Sequence, residues 1–371
     1  MLPLPRPDWA GRLQALRAYV TRETLDALVV SHPANLTYLT GFAGTTGLLV
    51  CTPQDTWLIT DGRYDTAVRQ AMAAGTMASV RVERVDSRYD LTLAHLVGRL
   101  RVARLAFEAD HVTVGTLRRW RALASDVDWR PTDEVVERQR LIKDAVEVAV
   151  FRQAGRALAG VARRLRSWVI RGRRERDVAA AINRALERAG FSGPAFPTIV
   201  ASGPNSALPH ARPTDRRLAD GDLVVLDFGG VLGGYCVDLT RVAAIGQVDS
   251  SAESLYVAVR DAQAAALAAV RAGVPGSDVD RAARGVLESR GLGAAFLHGT
   301  GHGLGLDVHE APRIARADSG AQDVLEAGMV CTIEPGAYVE GLGGIRLEDD
   351  VLVTTEGCEV LTDAPRDLLV V

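Results

Sequence analysis

The stretch 227–241, DFGGVLGGYCVDLTR, places Asp227 and Asp238 in two strand-like runs on either side of a glycine-rich turn. A hairpin through that turn brings the two carboxylates together. Aspartate is disfavoured inside strands, and two carboxylates on one buried face repel unless a cation neutralises them. The pair therefore reads either as ligands for a hard metal or as turn and edge residues on the surface. The pattern recurs downstream: MVCTIEPGAYV (329–339) and GGIRLEDDVLVT (343–354) set Glu334 and Glu348 in otherwise apolar strand contexts. Their neighbours Asp349 and Asp350 read as solvated charges at a strand end. Between the pairs lies LHGTGHGLGLDVHEAP (297–312), whose alternating glycines let the backbone approach a ligand, with His302 at its centre. This is not a dinucleotide loop, since Leu304 stands where the third glycine is required. Nor is it an HExxH motif, since Arg313 follows where the second histidine is needed. One imidazole and four carboxylates form an oxygen-rich set suited to two divalent ions, with Mn²⁺ or Co²⁺ more natural than a structural zinc.

Outward from this set, residues 131–371 read as an α/β unit with a strongly bent antiparallel sheet. Helical periodicity runs over 134–173, 174–190, 252–272 and 277–290, with strand-like runs in between. Residues 1–130 read as a smaller α/β unit of alternating helical and strand patterns. The polar segment WRPTDEVVERQR (129–140), which contains Pro131, places the boundary near residue 131. The fold class is α+β.

At 371 residues, 47% apolar and 24% charged, the chain has the composition of a globular protein and not of a disordered one. A formal charge of −3 offers no broad cationic field for nucleic acid or an anionic membrane. Lys143 is the only lysine among the 43 basic residues, which excludes a phosphate-binding P-loop and leaves one amine for Schiff-base chemistry. Its context, LIKDAVE, reads as an exposed helix turn. Cys51, Cys236, Cys331 and Cys358 stand far apart, so no disulfide framework or zinc knuckle is indicated. With no signal-like N-terminus and no long apolar run, a cytoplasmic protein is expected. His32, His95 and His111 lack any glycine- or proline-rich context and read as ordinary histidines.

The order and spacing of Asp227, Asp238, His302, Glu334 and Glu348 resembles the metal set of the pita-bread metallopeptidases, which include methionyl aminopeptidase, aminopeptidase P and prolidase. His210 in GPNSALPHARP and His309 in DVHEAP resemble the non-ligand histidines of the proline-specific branch. NLTYLTGFAGTTG (35–47) and LITDGRY (58–64) resemble the creatinase-type N-terminal domain of aminopeptidases P and prolidases. The resemblance implies a pita-bread catalytic unit at 131–371 behind a creatinase-type unit at 1–130, with two divalent ions per subunit, Mn²⁺ first and Co²⁺ or Zn²⁺ as alternatives. It implies that Asp227 serves one ion, His302 and Glu334 the other, with Asp238 and Glu348 bridging, and that Glu334 also shuttles a proton. His210 and His309 would bind the scissile carbonyl, and His298 would line the pocket. Tyr235, Thr240 and Arg346 stand beside ligands as supporting or substrate-binding residues. The implied activity is that of an Xaa-Pro aminopeptidase, acting on a small peptide with proline at position two and commonly as a homodimer. The alternatives are an Xaa-Pro dipeptidase, a non-catalytic peptide-binding relative and a creatinase-like amidinohydrolase. A dipeptidase needs a cation for the proline carboxylate, and Arg313 and Arg63 are candidates among many arginines.

Overall fold

The computed structural model describes residues 6–247, 249–319 and 323–371. The opening MLPLP, read above as part of a signal-free N-terminus, lies outside them. The chain divides into two compact units at Arg140/Leu141.

The N-terminal unit is built on one six-stranded mixed sheet. Its strands are β1 (Ala27–Val30), β2 (Leu48–Cys51), β3 (Thr56–Asp61), β4 (Arg81–Val85), β5 (Arg104–Glu108) and β6 (Asp128–Thr132), in the order β4-β3-β2-β1-β5-β6. Strands β1 and β2 are buried at every position, as expected of strands covered on both faces. The division falls ten residues after the position expected near 131, because β6 (DWRPT) pairs in parallel with β5 from Asp128 to Thr132. Pro131 is tolerated there because β6 is an edge strand.

The C-terminal unit carries two principal sheets. One comprises β7 (Ile199–Ser202), β8 (Leu223–Asp227), β11 (Thr240–Ala244) and β19 (Leu369–Val370) in the order β19-β11-β8-β7. The other comprises β12 (Gly301–Gly303), β13 (Glu310–Ile314), β14 (Val330–Ile333), β17 (Asp349–Val353) and β18 (Cys358–Val360) in the order β13-β12-β14-β17-β18. Two hairpins complete it, β9 (Gly230–Leu232) with β10 (Tyr235–Val237), and β15 (Gly336–Val339) with β16 (Gly343–Arg346). The first hairpin turns through Gly233 and Gly234 at φ +59° and +88°, the left-handed pair that a two-residue turn of this twist requires. Helices Ala145–Ala162 and Glu175–Arg188 enclose one apolar core, and Ser250–Ala269 with Gly276–Ser289 another. Among the described residues no helix is long and apolar enough to cross a membrane.

The helical run expected from 134 onward breaks at 142–144, where Asp144 caps Ala145–Ala162 through a capping box with Glu147. The break corrects the reading of Lys143. Its side chain is 1% exposed and its Nζ donates to Glu310 Oε1 at 2.9 Å, so the only amine side chain of the protein is a buried ion-pair partner. Lys143→Met is expected to destabilise the protein by about 3–5 kcal/mol, because it breaks an ion pair whose lysine is fully buried. Urea unfolding checks this, and a loss below about 1 kcal/mol would rule it out.

Candidate metal centre

The five carboxylate and imidazole residues singled out in the sequence come together where the two sheets of the C-terminal unit meet. Asp227 ends β8, Asp238 follows β10, His302 lies in β12, Glu334 follows β14, and Glu348 sits between β16 and β17. Hydrogen bonds from the backbone N–H fix four of them. Glu334 N donates to Thr300 O at 2.7 Å, and Glu348 N reaches Thr240 O at 3.2 Å. Asp238 N donates to Asp350 Oδ2 at 3.0 Å, and His302 N to Thr332 Oγ1 at 3.1 Å. Gly301 permits this packing, since a Cβ there would lie 2.0 Å from Thr332 O.

The donor set fits divalent ions on its own chemistry. One ligand atom each of Asp238, His302 and Glu348 lies within 4.8 Å of the others. Asp227 Oδ1 and Glu348 Oε1 are buried and accept no hydrogen bond among the described residues, which is costly for carboxylate oxygens unless a cation meets them. The His302 Nδ1 is 3.0 Å from its neighbour's carbonyl, Gly303 O, and a carbonyl only accepts. The proton therefore sits on Nδ1, and Nε2 presents its lone pair toward Glu334 Oε1 at 3.4 Å. Burial holds the His302 pKa below its ordinary value, so the ring is neutral near pH 7.

Without a cation the carboxylates repel. Burial first, then Glu348 and Asp227, push the Asp238 carboxyl well above its usual range. Burial followed by Glu334 and Asp227 does the same to Glu348, and burial raises Glu334. The cation in direct contact is Arg346, which donates to Asp227 Oδ2 at 2.5 Å, to Thr240 Oγ1 at 3.2 Å and to Tyr338 Oη at 2.6 Å. Thr240 in turn donates to Glu348 Oε2 at 2.6 Å. Arg346 and Thr240 thus each hold one oxygen of a carboxylate, Asp227 Oδ2 and Glu348 Oε2.

Three histidines border the set. His309 is exposed, with its ring 4.4 Å from that of His302, and burial together with His302 lowers its pKa. His210 is exposed on the loop after β7. His298 is engaged within the protein: Nδ1 donates to Gly299 O at 2.8 Å, and Nε2 accepts from Tyr338 Oη at 3.0 Å. It is therefore part of the Arg346–Tyr338 network more than a free pocket wall. Tyr338 went unnoticed in the sequence, where an aromatic residue in a strand signals only core. Burial pushes its hydroxyl up to about 12.

Several other expectations change. The Tyr235 hydroxyl is buried and donates to Glu147 Oε1 at 2.8 Å. Asp349 and Asp350 are fully buried and not solvated. Asp349 binds Arg241 at 2.7 Å, Arg366 at 2.6 Å and Gln263 at 3.0 Å, and Asp350 holds the Asp238 backbone. Arg63 is an exposed residue of the N-terminal unit paired with Asp61. Arg313 lies directly opposite His302 in the β12–β13 ladder, with its side chain exposed.

Comparison with known proteins agrees with the geometry. The profile described as Metallopeptidase family M24 matches residues 149–355, more than half of the chain, and that of the Creatinase/Prolidase N-terminal domain matches residues 12–142. An Xaa-Pro dipeptidase of Pyrococcus furiosus is 31% identical over 96% of this chain and 99% of its own length. The solved structure of an Xaa-Pro dipeptidase from Bacillus anthracis superposes with a TM-score of 0.92 at 31% identity, covering 98% of this chain and 100% of that one. That of an X-Pro aminopeptidase from Thermotoga maritima gives a TM-score of 0.85 at 33% identity over 95% and 100%. With its carboxylate and imidazole centre between two sheets and a creatinase-type unit ahead of it, the chain belongs to metallopeptidase family M24, peptidases of the pita-bread fold that work with divalent metal ions.

Proposed function

We propose that this metallopeptidase hydrolyses the bond between an N-terminal residue and proline, and that dipeptides are its preferred substrates. The observation that carries the dipeptide preference is Arg313. It faces His302 across one ladder, and its exposed guanidinium is unpaired in the described structure, so it offers a bidentate partner for the free carboxylate of a C-terminal proline. Names borne by relatives support the proline preference, since both an Xaa-Pro dipeptidase and an X-Pro aminopeptidase match nearly the whole chain.

Asp227, Asp238, His302, Glu334 and Glu348 would hold the ions, and the oxygen-rich donor set favours Mn²⁺. When bound, divalent ions supply Lewis acidity, making a water acidic near neutral pH and polarising the scissile carbonyl. Glu334, with its raised pKa, accepts the proton of the attacking water and returns it to the proline nitrogen as the C–N bond breaks. His309 and His210 donate hydrogen bonds to the carbonyl oxygen as negative charge develops there. The Xaa–Pro amide nitrogen bears no hydrogen, so recognition falls on the carbonyl and on the proline carboxylate. A homodimer completes this reading, and light scattering that gives the mass of a single chain would remove it.

The test compares an Xaa-Pro dipeptide with an Xaa-Pro-Xaa tripeptide, using chelated protein with and without Mn²⁺. Mn²⁺-restored cleavage of the dipeptide is expected. In Arg313→Met the dipeptide KM should rise at least about tenfold, with cleavage of the tripeptide unchanged. Efficient tripeptide cleavage indifferent to Arg313 would make the protein an aminopeptidase, and cleavage of neither would end the proline reading.

A further inference from the structure

The loop 203–213 carries His210 between β7 and β8 and contains only one short turn of helix, Gly203–Ala207. Such a segment has many conformations open to it, yet both its ends converge on one carboxylate. Glu175, the first residue of helix Glu175–Arg188, is fully buried. Its Oε1 accepts from Ser202 N at 2.8 Å, Ser202 Oγ at 2.7 Å and Asn205 Nδ2 at 3.0 Å. Its Oε2 accepts from Thr214 N at 2.9 Å and Thr214 Oγ1 at 2.6 Å. An acidic residue in the first turn of a helix commonly serves its own helix dipole. The side-chain contacts of Glu175 go instead to the two residues that bracket the loop and to Asn205 within it. Burial works to raise its pKa, but the donors of Thr214 and Ser202 outweigh burial and hold it below the usual carboxylate range.

The middle of the loop is fastened to the metal centre. Ser206 Oγ accepts from Gly344 N at 2.9 Å, and Pro209 O accepts from Arg346 Nη1 at 3.3 Å. His210 follows immediately and is exposed. Arg346 and Ser206 fix the loop to β16, whereas Glu175 fixes its two ends to each other.

We infer that Glu175 is the positioning residue of the His210 loop, setting where the imidazole stands relative to the substrate carbonyl. The inference rests on the reading of His210 as a donor to that carbonyl. Because such a donor acts on charge present only in the transition state, displacing it lowers kcat and leaves KM largely unchanged.

The test is a double-mutant cycle on the Mn²⁺-loaded enzyme with an Xaa-Pro dipeptide. Glu175→Gln should lower kcat about 10- to 100-fold, the scale of a small misplacement. In the His210→Ala background the same substitution should cost less than about threefold, because its effect passes through His210. Mn²⁺ affinity by calorimetry should stay within about twofold of the wild type. Thr214→Val, which removes one donor at an exposed position, should act in the same direction but less strongly, and serves if Glu175→Gln fails to fold. An equal loss in both backgrounds, or a matching loss of Mn²⁺ affinity, would overturn the inference. If His210→Ala alone leaves the rate intact, the role of His210 has failed, and amide exchange then decides the clamp. Faster exchange over 203–213 in Glu175→Gln sustains it, and unchanged exchange overturns it.

Discussion

Glu348→Gln is expected to lower kcat/KM by at least about 10³-fold and, at the same time, to raise the melting temperature of the metal-free protein. The first effect follows from what the ions contribute: several kcal/mol of transition-state stabilisation, with each 1.36 kcal/mol worth about tenfold in rate. The second follows from the geometry. Glu348 Oε2 already accepts from Thr240, a contact the amide oxygen of glutamine preserves. Among the described residues its Oε1 has no hydrogen-bond partner, and it shares the site with Glu334 and Asp227, whose charges help to push its pKa up. An amide group at that position donates to those carboxylates and removes one buried negative charge, a gain of about 1–3 kcal/mol in the absence of metal. The site is thus built against its own stability so that a cation is needed to complete it. Steady-state kinetics with Mn²⁺ and thermal melts in chelator measure both halves. Activity within tenfold of wild type, or a metal-free variant that melts lower, would contradict this account of the centre.

The candidate ligands stood out in the sequence because a carboxylate in an apolar strand is expensive and needs a reason. Asp349 and Asp350 carried the same signal yet read as solvated, because their compensation comes from far along the chain. Arg241, the principal partner of Asp349, lies more than a hundred residues away and also donates to the carbonyls of Glu348 and Ala364. Lys143 was misread for a related reason: LIKDAVE carries a helix pattern, but the lysine precedes the cap at Asp144 and finds Glu310 on a distant strand. Pro131 suggested a linker, although proline at a sheet edge is equally allowed and only the pairing of β6 with β5 decides. Tyr338 and Glu175 bore no local mark at all. An aromatic residue in a strand and an acid at a helix start have ordinary roles, and here the partners alone distinguish them.

The stabilisation that Mn²⁺ gives the protein is expected to grow with pH, and the sign follows from the groups at the centre. Asp238, Glu348 and Glu334 have folded pKa values raised by burial and mutual repulsion. The stability associated with them is fully present below the ordinary carboxylate range near pH 4, and is lost as pH rises through the raised values. His302, His298 and His309 act oppositely, because their pKa values are lowered mainly by burial. Their contribution is present above the ordinary histidine value near 6.5 and is lost as pH falls below it. Well above a pH of about 6.5 these three histidines are neutral in both folded and unfolded chains, so the pH dependence left at the metal-free site comes from the carboxylates and points downward. Metal binding removes this conflict, since protons and cations compete for the same carboxylate oxygens and for His302 Nε2, and a rising pH favours the cation at each. Each proton displaced on binding makes the affinity rise by about tenfold per pH unit in that range. At a free Mn²⁺ concentration of about one hundred times Kd the folded state gains about 2.7 kcal/mol, and each further decade of affinity adds about 1.4 kcal/mol. Melting curves with chelator and with Mn²⁺ at pH 5.5, 6.5, 7.5 and 8.5, on the order of one pH unit apart to resolve such decades, should diverge steadily. A Mn²⁺-induced shift that is the same at every pH would mean that binding displaces no protons, which would contradict this account of the centre.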